Sequence, residues 1–241
     1  MTPRATTTAV KPHVPELIDM LEAGVHFGHE RSKKNPHMDR YIFMLRNRMA
    51  IIDLEKTHAA LTEAIRFLEA VTADGSKQVL FVGTKRQARE IVRKYAEAGK
   101  MPYVTTRWLG GTLTNFSTIL KSIEKLEELK SFAASAAAEK ITKKEKAVRA
   151  KEIQRLEGVL EGIKSLKKLP AAIIVVGVHD EHLAVREASR VGIPVIGVAD
   201  TNANPTLVDY PIPANDDAIR SIDLIVGTLA RAIAPATSND S

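Results

Sequence analysis

Gly83-Thr84-Lys85-Arg86-Gln87 directly follows the apolar run Val79-Leu80-Phe81-Val82. A glycine and basic residues where a buried parallel strand opens into a helix mark the place where open α/β sheets bind phosphate through helix N-terminal amides. The nucleotide spacing Gly-x-x-x-x-Gly-Lys-Ser/Thr is not met and Gly-x-Gly-x-x-Gly is absent, so a mononucleotide cradle is not spelled out, although polymer phosphate would suit the same amides. His26 and His29, with Glu30 and Asp200, allow a two-His, one-carboxylate metal site to be drawn. They lack the His-Glu-x-x-His spacing, so these weak candidates read first as hydrogen-bonding groups and no metal is expected. Asp180, Asp200 and Asp209 lie near strand ends and read as caps and turn residues. No Gly-x-Ser-x-Gly elbow occurs, and a cysteine count of zero removes thiolate ligands, cysteine nucleophiles and disulfides together. That count fits a reducing cytoplasm.

The elements that must hold these residues follow from periodicity. Glu16 to Ala23 reads as a short helix, and Gly24 to Arg48 as a polar, basic docking loop. Met49 to Ile52 reads as a strand leading into a helix from Leu54 to Ala73; strand 78–83, a helix from Gln87 to Ala98 and a strand at Pro102-Tyr103-Val104 follow. The alternation then stops. Phe116 to Lys168 contains no proline, and Phe116, Ile119, Ile123, Leu126 and Ile153, Leu156, Leu160, Ile163 repeat steps of three, four and three, the seam of a coiled coil. Two such arms predict a hairpin, turning near Ser131 to Ala138 or just beyond at Lys143-Lys144. Strands at 171–176 and 193–199, a helix from His182 to Arg190, a short strand near Val208-Asp209-Tyr210 and a helix from Asp217 to Ala232 resume the pattern. Continuously apolar strands, each followed by a helix, require a parallel sheet covered on both faces. The expected fold is a doubly wound α/β domain over 16–115 and 169–232, with a coiled-coil hairpin inserted at 116–168 and tails at 1–15 and 233–241.

Charge is distributed unevenly over these elements. Residues 121–168 hold 13 Lys and Arg against 8 Asp and Glu, and residues 26–48 hold 6 against 2, whereas the whole chain has 35 against 29. The remainder is therefore net acidic, and the basic charge lies on the parts expected to protrude, where it can meet phosphate without disturbing packing. Pairs such as Lys121 with Glu124 and Lys125 with Glu128 also fit an ordinary solvated helix face. Aromatics are 5% of the chain, too few for a platform of stacked bases. Trp108, the only tryptophan, stands in Arg107-Trp108-Leu109-Gly110-Gly111 and reads as a core anchor whose glycines allow close packing against the root of the hairpin. The longest apolar runs fall far short of the ~20 residues of a membrane span, and the first fifteen residues carry no signal-length apolar segment.

Several long strings together resemble one family. Leu21-Glu22-Ala23-Gly24-Val25-His26-Phe27-Gly28-His29, Ile51-Ile52-Asp53-Leu54-Glu55-Lys56-Thr57, Leu80-Phe81-Val82-Gly83-Thr84-Lys85-Arg86-Gln87-Ala88, Arg107-Trp108-Leu109-Gly110-Gly111-Thr112-Leu113-Thr114-Asn115 and Ile212-Pro213-Ala214-Asn215-Asp216-Asp217-Ala218-Ile219-Arg220-Ser221 resemble, in order, the bacterial form of universal small-subunit ribosomal protein two. The resemblance runs from about Leu17 to Ala232. One departure is Gly177-Val178-His179-Asp180, where the family usually has an Asp-Pro turn. The resemblance implies a flavodoxin-like domain with a protruding coiled-coil hairpin, no catalysis and no cofactor. It implies a cytoplasmic place at the head-body junction of the small ribosomal subunit. The implied partners are small-subunit rRNA and neighbouring ribosomal proteins, including the large messenger-binding protein. The rRNA-contact candidates are Arg31, Lys33, Lys34, Arg40, Arg46 and Arg48 in the basic loop and Lys85, Arg86 and Arg107 beside the sheet. Two competing readings are a phosphate-ligand enzyme using the Gly83 loop and a coiled-coil scaffold that binds a protein without touching RNA.

Overall fold

The computed structural model describes residues 14–135 and 142–233; almost all of the expected tails, and the middle of the expected hairpin turn, lie outside the described residues. The chain begins with helix α1 (Leu17–Glu22), strand β1 (Phe27–Glu30), short 3-10 turns at Arg31–Lys33 and Pro36–Tyr41, and strands β2 (Ile42–Arg46) and β3 (Met49–Ile52). These strands form a separate antiparallel sheet in the order β1-β3-β2. This corrects the reading of 24–48 as a loop, and of Met49 to Ile52 as the first strand of the parallel sheet. Ile42-Phe43-Met44-Leu45 has no residue fully buried, and a run without alternating polarity gives no period-two signal. The turn joining β2 to β3 is Asn47-Arg48, with no glycine to announce it.

Helix α2 (Leu54–Thr72) starts where the Asp53 carboxylate accepts the Glu55 N–H at 3.1 Å, a side-chain cap for an otherwise unsatisfied amide. Then come β4 (Val79–Val82), α3 (Arg89–Ala98), β5 (Tyr103–Val104), α4 (Phe116–Ala134), α5 (Lys143–Leu160), β6 (Ala172–Val176), α6 (His182–Val191), β7 (Val195–Ala199), β8 (Tyr210–Pro213) and α7 (Ile219–Ile233). Strands β4 to β8 form one parallel sheet in the order β5-β4-β6-β7-β8. Counted along the chain this is 2-1-3-4-5, consistent with a flavodoxin-like fold. The short strand expected at Val208 to Tyr210 forms instead at Tyr210–Pro213, after a 3-10 turn at Pro205–Leu207. Pro211 and Pro213 are tolerated there because β8 is an edge strand.

Alternate residues of each central strand serve opposite layers. Phe81, Ile174, Val176, Ile196 and Val198 pack with α2, α3 and α7, while Leu80, Val82, Ile173, Val175 and Val195 pack with α6, Trp108 and the roots of α4 and α5. Of the eight predicted seam residues, Ile119, Ile123, Leu126, Leu156, Leu160 and Ile163 are buried, with Phe116 and Ile153 packed against them. Lys125 pairs with Glu152 at 3.4 Å and Lys130 with Glu157 at 2.5 Å across the two helices. Just past α5, a Cβ on Gly162 would stand 2.2 Å from the Tyr103 carbonyl oxygen, so only glycine lets this segment lie on edge strand β5. Among the described residues no helix is long and apolar enough to cross a membrane.

Candidate nucleic-acid interface

The small sheet is pinned to the large one through Thr201, which follows β7 and is fully buried. The His29 N–H donates to Thr201 Oγ1 at 2.8 Å and the Asn35 N–H to the Thr201 carbonyl at 2.8 Å. A Cβ on Gly28 would meet Thr201 Cγ2 at 2.5 Å, which is why a glycine stands there. From this anchored base Arg31, Lys33, Arg40, Arg46 and Arg48 project as exposed cations. Lys34 is half-buried and paired with Asp39, and Arg40 lies 4.8 Å from the Tyr41 ring centroid. Asn47 and Arg48 form the β2-β3 turn with φ of 49° and 66°, the left-handed region that hairpin turns of this type demand and that side chains other than glycine disfavour. The Arg31 N–H donates to the Arg48 carbonyl at 2.8 Å, which brings the backbones of Arg31 and Arg48 together. Below this rim a cleft of about 660 Å³ is lined by Leu21, Phe27, Phe43, Met44, Met49 and Ile51 among others.

At the carboxyl ends of β4 and β6, where strand order reverses, the Gly83 loop is occupied by carboxylates. Lys85 Nζ lies 2.6 Å from Asp216 Oδ1, 3.0 Å from Asp217 Oδ1 and 3.1 Å from Asp180 Oδ2. Burial acts to lower the pKa of the Lys85 ammonium, but these three carboxylates outweigh it and hold it above its ordinary range. Asp216 is fully buried, its Oδ2 without a partner among the described residues, and its pKa is pushed up to about 6 by burial and then by Asp200, against the pull of Lys85. The Thr84 N–H donates to Glu181 Oε1 at 2.6 Å, so a side-chain carboxylate takes the amide that a phosphate would use. Glu181 is itself buried, which raises its pKa. Lys85 thus has its charge satisfied internally, and the neighbouring Arg86 is exposed.

Arg107 is also exposed, next to buried Trp108. Trp108 is a core anchor, as its sequence context predicts, and its indole Nε1–H donates to Glu187 Oε1 at 3.1 Å. The same carboxylate takes the N–H groups of Gly111 at 2.7 Å, Leu113 at 3.0 Å and Thr114 at 3.2 Å. Desolvation works against its ionisation, yet these hydrogen bonds prevail and hold its pKa below the usual carboxylate value.

Of the metal candidates, His29 and Asp200 meet and His26 does not join them. His29 Nδ1 lies 3.0 Å from Asp200 Oδ1 and Nε2 lies 3.4 Å from Asp217 Oδ2. One donor atom from each of the three lies within 4.8 Å of the others, so among the described residues this imidazole and two carboxylates form a group able to hold a cation. Facing a carboxylate at both ring nitrogens suits an imidazolium, and the hydrogen bond to Asp200 raises the His29 pKa accordingly; a cation would compete with that proton. His26 instead lies against Phe27 with ring centroids 4.0 Å apart and a tilt of 39°, its buried Nδ1 without a partner among the described residues and its pKa lowered by burial. Asp209 is a turn residue, accepting the Val195 N–H at 2.8 Å. The sequence reading missed Asp216, Asp217, Glu181, Thr201 and Glu187. The first two stood adjacent in a recognisable string and Thr201 directly follows the candidate Asp200, but nothing local marks Glu181 or Glu187, whose partners lie far away in sequence.

Comparison with known proteins agrees with the string resemblance. The sequence model of the family described as Ribosomal protein S2 matches residues 20–236. The small ribosomal subunit protein uS2 of Cytophaga hutchinsonii is 49% identical over 223 residues, covering 92% of this chain and 87% of its own. The protein of the same name from Chloroherpeton thalassium is 48% identical over 223 residues, with 92% and 89% covered. That from Salinibacter ruber is 47% identical over 221 residues, with 92% and 69% covered.

Proposed function

The chain belongs to the ribosomal protein S2 family, and from that premise we propose that it is a structural constituent of the bacterial small ribosomal subunit, acting in translation and not as an enzyme. It sits in the cytoplasm at the head-body junction, touches small-subunit rRNA with its basic side chains and packs against neighbouring ribosomal proteins, among them the large messenger-binding protein. The observation that carries the RNA part is the group of exposed cations Arg31, Lys33, Arg40, Arg46 and Arg48 on a small sheet anchored to a rigid body. Such side chains give affinity through phosphate while the scaffold fixes orientation. Arg86 and Arg107 extend the contact along the large sheet; Lys85, with three carboxylate neighbours, contributes by ordering the loop that bears Arg86. The apolar cleft lined by Phe27, Phe43 and Met44 suits a protein neighbour.

The domain reading goes with it: an α/β domain over 16–115 and 169–232 interrupted by a coiled-coil hairpin over 116–168. The buried seam residues of α4 and α5 and their two cross-helix ion pairs support that hairpin. The test is sedimentation of a native lysate, with the chain quantified against small-subunit rRNA in each fraction. Near-stoichiometric cosedimentation is expected. Reversing Arg31, Lys33 and Lys34 together to glutamate is expected to move the chain toward the top of the gradient, more so at higher salt. Undiminished incorporation of that variant would overturn the assignment of the small sheet to RNA.

A further inference from the structure

Residues 107–115 form a loop with no regular structure between β5 and α4, and its internal ties are few: the Thr112 Oγ1–H to the Leu109 carbonyl at 2.6 Å, and the N–H groups of Thr112 and Asn115 to the carbonyls of Leu109 and Gly111. What closes it is one side chain from another element. Glu187, on α6, takes five donors from the loop. Oε1 accepts from Trp108 Nε1–H and the Gly111 N–H; Oε2 accepts from the Leu113 N–H, the Thr114 N–H and, at 3.1 Å, the Thr114 Oγ1–H. Gly111 has φ of +90°, a conformation that other residues rarely adopt. Converging backbone amides of this kind form an anion nest. Here the protein supplies the anion itself. Arg107 directly precedes this clamped stretch and is exposed, beside a tryptophan that is 6% exposed.

We infer that Glu187 is a positioning residue for RNA contact: its carboxylate fills the nest of residues 108–114 and so presents Arg107 to phosphate in a fixed orientation. The inference rests on the proposal that Arg107 meets rRNA. Two consequences follow from the geometry. A loop already ordered does not lose its freedom on binding, so affinity rises without a new contact. With the nest already holding a negative charge, an incoming phosphate is left to the guanidinium outside.

The experiment uses the full chain and small subunits stripped of it, with reincorporation measured over a range of salt for wild type, Arg107→Ala, Glu187→Gln and the double variant. Each phosphate contact adds about one to the magnitude of the negative slope of log affinity against log salt, and the magnitude is what is compared. Arg107→Ala is expected to lower that slope by about one. Glu187→Gln keeps the side chain's size but turns an NH2 toward N–H donors; it is expected to lower the slope by the same amount, with the double variant no lower. The direction is diagnostic, because removing an acidic group would otherwise strengthen binding to a polyanion. Trp108 is the only tryptophan, so its emission in the free chain reports the clamp independently and is expected to shift in Glu187→Gln. A shifted emission or lowered Tm with an unchanged slope would make Glu187 a stabilising residue only and overturn the inference, leaving the Arg107 contact intact. An unchanged slope in Arg107→Ala would remove the contact itself, and the inference with it.

Discussion

Asp216→Asn is expected to make the chain more stable at neutral pH, and to lose that advantage in mild acid. Asp216 is fully buried, one oxygen unpartnered, with Asp200 and Asp217 close by. Its pKa is raised from 3.8 to about 6 even with Lys85 at 2.6 Å. By linkage a shift of that size corresponds to roughly 3 kcal/mol of cost to the folded state when the carboxylate is ionised. The folded form binds a proton more readily than the unfolded form between about pH 4 and 6. The cost is therefore present in full above the folded pKa and disappears as pH falls toward the unfolded one. Asparagine removes the charge but weakens the hold on Lys85, which keeps Asp217 and Asp180, so a net gain of about 1–2 kcal/mol remains. The assay is urea unfolding followed by Trp108 emission at about pH 7.5 and pH 4.5, the slope m being checked for constancy. A variant less stable than wild type at pH 7.5 would refute the reasoning, since it would mean that the Lys85 pair more than offsets the desolvation of the carboxylate.

Lys85→Met, which strips the same carboxylates of their cation, is expected to cost about 3–5 kcal/mol at neutral pH and less in acid; equal losses at both pH values in urea unfolding would count against the ion-pair account. Arg48→Gly relieves a left-handed backbone and is expected to raise stability by about 0.5–1 kcal/mol, while lowering the salt slope of subunit incorporation by about one. A fall in both quantities would mean that Arg48 makes a structural contact. Gly162→Ala places a Cβ 2.2 Å from the Tyr103 carbonyl, and a loss of at least about 2 kcal/mol is expected in thermal or urea unfolding. Because the nearest clash is with backbone, Tyr103→Ala should not restore it.

The parallel sheet was legible because its central strands are apolar at every position, and that pattern has few alternatives once each strand is followed by a helical period. The burial of Ile119, Ile123, Leu126, Leu156, Leu160 and Ile163 was legible for the same reason: a regular repeat reports directly on what is buried. The small antiparallel sheet was not. Its strands leave Phe27, Phe43, Met44 and Leu45 open to solvent, so no alternation survives, and what holds them is backbone pairing to β3 and the contact of Gly28 with Thr201, 173 positions later in the chain.

Lys85 shows the sharper limit of local motifs. Glycine, lysine and a following helix at the end of a parallel strand describe a phosphate site as far as the neighbouring residues can tell. The groups that decide its character, Asp180, Glu181, Asp216 and Asp217, arrive from the turns after β6 and β8. Glu181, at the start of α6, takes the amide of Thr84, and Glu187, further along the same helix, takes three amides and an indole of the next loop. Two loops at the carboxyl ends of the sheet thereby have amides taken by carboxylates of one helix. Amides already taken by internal carboxylates are closed to a nucleotide phosphate, and Arg86 and Arg107 beside them are exposed. In a fold common to many nucleotide enzymes, two carboxylates thus take the loop amides that an anion would otherwise use.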